Sequence, residues 1–273
     1  MQQIKHILYS IRPSAGFMAA VLAFAAFRPS LSDHNEILLL CLYFFAGSSF
    51  CFLVNDLFDR EKDMANKKNR PIATGELPVL TTSIALFFFG ISFIIAGCLL
   101  NEVMFWLAVL AIASFSIYSP INNKTGLLAN IIVAFWAVAP VWEGFFVLQG
   151  ARDLIWLSLG LFVMVIAREI LLDWLDIEGD KSVGKSSLPI VLSEKHLKLF
   201  LSILMVLASI LIAGVYWFVQ ISEIACGLLI LSVILSWVPF IQLLKTPDKK
   251  TVLYNVRFSH VSFGVFTVAL FLR

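Results

Sequence analysis

The chain has 273 residues, of which 60% are hydrophobic and only 14% charged, with a formal net charge of +2. That balance lies outside soluble globular domains, whose cores are diluted by polar surface, and it gives no basic field of the kind that binds nucleic acid. An all-α integral membrane protein is expected, because continuous apolar runs recur where a membrane barrel would show short alternating strands.

In chain order the apolar runs predict nine spans, near residues 14–28, 37–57, 79–99, 104–119, 128–148, 154–175, 198–219, 223–244 and 252–272. No stretch is left for a separate soluble domain, so residues 1–273 read as one polytopic domain. Lys5 and Arg12 precede or open the first span. The loop after the second span carries Arg60, Lys62, Lys67, Lys68 and Arg70, and later even-numbered loops add Lys124, Lys181, Lys185, Lys195, Lys198, Lys245, Lys249 and Lys250. The odd-numbered loops hold only Arg28 and Arg152. Since cations favour the cytoplasmic side of short loops, the N-terminus is expected in the cytoplasm and Arg273 outside. The first span lacks an obvious small-residue cleavage site and is expected to remain as a helix. Cys41, Cys51, Cys98 and Cys226 stand singly in apolar runs and read as packing residues.

Charge is concentrated at the end of the second span, in "NDLFDREKD". Asp56, Asp59 and Asp63 there form D-x-x-D-x-x-x-D, and "DWLDIEGD" repeats the spacing with Asp173, Asp176 and Asp180 after the sixth span. On one continuous helix these offsets fall at about 0°, 300° and 340°, so each triplet is expected on a narrow face. Either triplet alone reads equally well as a solvated helix end. Two, at the ends of even-numbered spans, are expected to face one another at the cytoplasmic surface. Carboxylates so gathered repel and take up protons unless cations neutralise them, and an all-oxygen set suits Mg²⁺. Magnesium keeps part of its shell for substrate phosphates, which implies a diphosphate substrate.

Several neighbours fit that chemistry. Asn55 offers a neutral oxygen beside Asp56, while Arg60, Arg70, Lys124, Arg168, Lys181 and Lys185 are candidate phosphate donors. Lys62, Lys67 and Lys68 read more simply as topological anchors. Tyr118 is placed to hydrogen-bond a diphosphate, to set its ring over a developing cation, or to serve as an interfacial aromatic. Arg12 is a candidate grip for an anionic acceptor or a headgroup anchor. Glu143 and His260 read as satisfied polar residues within spans. The 25 Phe, 7 Trp and 5 Tyr would give a cavity among these helices aromatic walls suited to an isoprenoid tail.

"NDLFDREKDMANKKNRPIATGEL" and "REILLDWLDIEGDKSVGKSSLPI" resemble the two signatures of the UbiA-type superfamily of intramembrane prenyltransferases. The resemblance covers essentially the whole chain. It implies nine helices around a central cavity with cytoplasmic cap loops and a lateral opening, and Mg²⁺-dependent prenyl transfer from a prenyl diphosphate to a lipophilic or amphiphilic acceptor in the bilayer. It also implies Asn55, Asp56, Asp59, Asp63, Asp173, Asp176 and Asp180 as metal-binding residues, with Tyr118, Lys124 and Arg12 at family positions. Asp63 or Asp180 is expected to take the released proton. The second stretch looks closer to subgroups using glyceryl phosphates, homogentisate or chlorophyllide than to the 4-hydroxybenzoate subgroup. A glyceryl-phosphate-like acceptor is slightly favoured over lipoquinone-type aromatics. A terpene cyclase of the same fold and a cation or lipid transporter are the alternatives. Phosphatidyl-alcohol transferases are set aside, because neither triplet has the Asp-Gly and Ala-Arg pairs that class requires.

Overall fold

The computed structural model describes residues 2–28, 33–66, 69–122, 126–147, 152–218, 221–246 and 248–273, with the side chains of 118–122, 152 and 216–218 outside the description. The helices are α1 (Gln2–Ile11), α2 (Pro13–Phe27), α3 (His34–Phe58), α4 (Arg60–Ala65), α5 (Val79–Leu100), α6 (Glu102–Asn122) and α7 (Gly126–Ala137). They continue with α8 (Ala139–Val147), α9 (Arg152–Leu175), α10 (Ile177–Ser182), α11 (Leu188–Val191), α12 (Glu194–Phe218), α13 (Glu223–Lys245) and α14 (Lys249–Phe271). No strand occurs among the described residues.

Among the described residues each predicted span overlaps helix, with 128–148 split at Val138 between α7 and α8. Five helices, α3, α5, α9, α12 and α13, are long and apolar enough to cross a bilayer, and the bent pairs α1–α2 (43°) and α7–α8 (56°) raise the count to seven. The described apolar part of α6 is shorter, Glu102–Ile117. In α14, Lys249, Lys250, Asn255, Arg257 and His260 dilute the apolar run. The first bend has a local cause. Proline disfavours the helical region for the residue before it, and Arg12, before Pro13, sits at φ 48°, ψ 68° in the left-handed region. Arg12 therefore opens the first predicted span, as expected, but a further helix, α1, which the span prediction did not include, stands before it.

The chain forms two compact units, one comprising 1–125 with 178–185, the other 126–177 with 186–273. In lipid, helices associate through close van der Waals packing and satisfied polar groups rather than through hydrophobic expulsion. The first unit follows that rule: α2 buries Ala20, Ala23, Ala25 and Ala26. Gly97 lets Tyr43 and the Met104 carbonyl approach, a Cβ there lying 2.9 Å from that oxygen. Tyr43, fully buried, donates its hydroxyl to the Met104 carbonyl at 3.1 Å and packs its ring against Phe93. In the second unit Gly160 of α9 plays the same part against Ile212 of α12. There the carbonyl of Phe135, near the α7 break, accepts from Trp142 Nε1 at 2.9 Å, and Trp142 stacks on the Phe135 ring.

Candidate active site

Aspartate is a poor helix-interior residue because its carboxylate competes for nearby backbone groups. Each motif accordingly breaks its helix at the middle aspartate. α3 ends at Phe58, Asp59 is the junction, and α4 follows; α9 ends at Leu175, Asp176 is the junction, and α10 follows. The expectation of three carboxylates on one continuous helical face is corrected. In both motifs the first aspartate lies in the last turn of a long helix and the third in the first turn of a short one. The first turns also carry Glu61 and Glu178, where acidic charge meets the favourable end of the helix dipole.

In the first unit, cations hold the carboxylates. Asp56, 2% exposed at its side chain, accepts from Arg12 Nη2 at 3.1 Å and Arg70 Nη1 at 2.9 Å. The same Arg70 nitrogen reaches Asp63 Oδ2 at 2.7 Å. Arg70 is anchored by the buried Pro71, Ile72 and Ala73 and by a turn in which Thr74 N–H donates to its carbonyl, with Gly75 at φ 80° closing the loop. The Arg12 guanidinium also lies over the Phe52 ring, 4.3 Å from its centroid.

The tail of the second motif belongs to this unit as well. Asp180, fully buried, is flanked by Lys62 Nζ at 2.9 Å and Lys185 Nζ at 3.5 Å. Gly184, at φ 69°, turns the chain so that Lys185 N–H donates to the Asp180 carbonyl and its side chain returns over the carboxylate. Asn66 accepts the Gly179 N–H at 2.8 Å, and a Cβ on Gly179 would lie 2.2 Å from Asn66 Nδ2. Gly179→Ala is therefore expected to push Asn66 aside and slow turnover by about 10²-fold, the scale of a 1 Å misplacement, while the protein stays folded; steady-state prenyl transfer and a thermal melt check it.

Burial raises the Asp59 carboxyl above the usual carboxylate range, against the pull of Lys62, Arg70 and Lys185 and with Asp63 adding to the rise. In the second unit Asp173 is buried and accepts from Asn130 Nδ2 at 2.8 Å. Asp176 is half-buried at its junction. Arg60 and Lys181, favoured as phosphate donors, point into solvent, whereas Lys62, read as an anchor, is buried on Asp180. Arg168 pairs with Glu169 at 2.7 Å. Lys67, Lys68, Lys124 and the side chain of Tyr118 lie outside the described residues. Sequence reasoning missed Asn66 and Asn130 altogether. The signal for Asn130 was a lone amide inside an apolar span; Asn66 had none.

The donor set fits magnesium. It is all oxygen, and among the described residues no hydroxyl, amide or backbone N–H donates to either Asp180 oxygen, which face the ammonium groups of Lys62 and Lys185. Among the described residues no three His, Cys, Asp or Glu side chains converge on one metal position. An ion that keeps coordination positions for substrate phosphates requires no such convergence.

The chain matches the model of the UbiA prenyltransferase family over residues 15–262, nearly its whole length. It belongs to that family. A digeranylgeranylglyceryl phosphate synthase of Thermococcus sibiricus is 30% identical over 86% of this chain and 82% of its own length, and the enzyme of that name from Methanococcus vannielii is 29% identical with the same coverage. A UbiA homologue from Aeropyrum pernix K1 shares the fold with a TM-score of 0.77 at 15% identity, over 94% of this chain and 96% of that one. A homologue from Archaeoglobus fulgidus, solved with GPP and Mg²⁺, gives a TM-score of 0.72 at 20% identity, over 97% and 99%. This UbiA-family chain is an intramembrane prenyltransferase with a multi-pass, all-helical fold.

Proposed function

We propose that this chain transfers a prenyl group from a prenyl diphosphate, with Mg²⁺, to the hydroxyl of a geranylgeranylglyceryl-phosphate-like acceptor. The observation that carries the metal and diphosphate roles is the cation-balanced carboxylate cluster of Asp56, Asp63 and Asp180. The acceptor follows the names of the two synthases compared above. Asn55, Asp56, Asp59, Asp63 and Asp180 would hold the ion, and the repeated spacing assigns Asp173 and Asp176 to the same task. When bound, Mg²⁺ neutralises negative charge developing on the leaving diphosphate.

The chain's own cations do the rest of that work. Arg12, Arg70, Lys62 and Lys185 sit on carboxylates that a metal and its substrate would engage, so they are poised to turn to diphosphate oxygens. Breaking the allylic carbon–oxygen bond sends its electron pair to the diphosphate. The acceptor hydroxyl then attacks the prenyl cation, and its proton passes to Asp63 or Asp180. Water must be kept away, because it would consume the cation. Tyr118 and Lys124 are assigned to the diphosphate or the developing cation, and Arg60 and Lys181 to capturing the anionic substrate at the solvent face.

In the same reading residues 1–273 act as one domain, supported by a family match that runs through both units. It gives nine spans with cap loops, the N-terminus and both motifs at the cytoplasmic face, following the lysine and arginine bias. The test gives purified protein Mg²⁺, labelled geranylgeranyl diphosphate, and either geranylgeranylglyceryl phosphate, homogentisate, 4-hydroxybenzoate or no acceptor. Label in the glyceryl phosphate lipid with release of diphosphate is expected. Label in an aromatic product overturns the acceptor, a cyclic hydrocarbon without acceptor points to a cyclase, and absence of metal-dependent turnover overturns the whole assignment.

A further inference from the structure

In the second unit α14 packs on α13 and α9 and leaves one stripe of its surface uncovered. Tyr254, Arg257, Val261, Gly264 and Val268 follow the three- and four-residue spacing of a single helical face, with His260 at its edge. The near half of the stripe is polar and the far half apolar. Tyr254, Arg257 and His260 are exposed, and so are Val261 and Val268. Between the two valines Gly264 leaves a slot, where an added Cβ would meet nothing within 4 Å.

In the nine-span reading α14 crosses the bilayer, and Arg257 lies about 12 Å along the axis from Lys249, with His260 nearly a turn deeper. A cation at such depth is costly unless it meets a partner. Among the described residues the Arg257 guanidinium makes no hydrogen bond or ion pair. A second copy of the chain would not supply one: inside the spans Asp56, Glu143 and Asp173 are buried, and Glu169 is held by Arg168. A lipid anion is the partner that remains. His260 narrows its kind. Its Nδ1 lies 3.1 Å from the Arg257 carbonyl, which can only accept, so in the neutral ring Nδ1 carries the proton and Nε2, on the opposite edge, accepts. A phosphate monoester offers Nε2 a P–OH while its ionised oxygens take the guanidinium fork; the phosphodiester of a bilayer headgroup has no such proton. The Tyr254 hydroxyl, about one turn nearer the helix start, adds a further donor.

We propose that this stripe of α14 binds the alkylglyceryl phosphate acceptor, with the phosphate monoester on Arg257, His260 and Tyr254 and the chain along Val261, the Gly264 slot and Val268. The inference rests on the acceptor and the ninth span assigned under the proposed function, and it gives that acceptor a phosphate grip. Arg12, the sequence candidate for the role, is instead engaged by Asp56.

Purified protein, without Mg²⁺ or diphosphate, is irradiated with a long-chain alkylglyceryl phosphate carrying a diazirine, so that binding is read apart from the transfer reaction. Label is expected on residues 257–268. Unlabelled alkylglyceryl phosphate should displace it, and phosphatidylglycerol or the phosphate-free alkylglycerol should do so far less well. Arg257→Gln should weaken binding about 10- to 100-fold, the range for a hydrogen bond to a charged group. Arg257→Lys, which keeps the charge without the fork, should restore part of it, and Gly264→Leu, which fills the slot, should weaken the long-chain probe more than a short-chain analogue. In turnover Arg257→Gln should raise KM for the acceptor and leave KM for the prenyl diphosphate unchanged. Equal displacement by phosphatidylglycerol assigns Arg257 to bilayer headgroups and overturns the site, as does label that avoids α14 or binding that Arg257→Gln leaves unchanged. Transfer to the glyceryl phosphate with an unaltered KM in that variant overturns the site and leaves the reaction standing. Transfer to an aromatic acceptor alone overturns the acceptor assignment, and with it the role given to this stripe, whatever the probe binds.

Discussion

Asp56→Asn is expected to lower prenyl transfer by about 10³-fold, the scale on which charge-stabilising groups act, and to raise the magnesium concentration needed for half-maximal rate. The side chain is 2% exposed and takes hydrogen bonds from two guanidinium groups, Arg12 and Arg70. Asparagine keeps its volume and still offers one acceptor oxygen, so the melting temperature should fall by only a few degrees while the negative charge disappears. Asp173→Asn should lose activity on the same scale, since its carboxylate is buried and held by Asn130. Arg60→Gln and Lys181→Gln, at exposed positions, should stay within about twofold at saturating diphosphate and weaken only capture at low substrate concentration, as surface charges contribute little on their own. Diphosphate release titrated against Mg²⁺ measures all four. Full activity in both aspartate variants would remove the metal role from the two motifs.

Much of this molecule was legible in the sequence because bilayer thickness and the need to satisfy backbone groups leave few options to long apolar runs. Each predicted span has a helix on it, and the duplicated aspartate spacing located the cluster. Local breaks were less legible. A periodicity argument assumes an unbroken helix, and nothing in D-x-x-D-x-x-x-D says that Asp59 and Asp176 end one helix and begin another. The helix before Arg12 was not foreseen because α1 is amphipathic and too short to register as a run, yet Pro13 was sufficient to signal the bend. Lys62 was ranked below Arg60 although the two are near neighbours. Which of them turns inward depends on where Asp180 arrives from 118 positions along the chain, and single-sequence patterns carry no such information.

The Lys62–Asp180 pair separates what the cluster does for folding from what it does for chemistry. Lys62 is 8% exposed and Asp180 fully buried. Lys62→Met leaves Asp180 facing Lys185 at 3.5 Å, and breaking a buried pair on one side typically destabilises by about 3–5 kcal/mol. Asp180→Asn alone should destabilise comparably by stranding the ammonium. The double variant Lys62→Met with Asp180→Asn removes both charges, so most of that stability should return, giving a coupling energy that a thermal or chemical unfolding cycle reads directly. Turnover should not return with it, because the double variant still lacks the carboxylate of the second motif and a cation for the diphosphate. If activity recovers along with stability, Asp180 serves only to fasten residues 178–185 to the first motif. If neither single variant loses stability, the ion pair does not hold the two motifs together, and the third aspartate of the repeat has to act through chemistry alone.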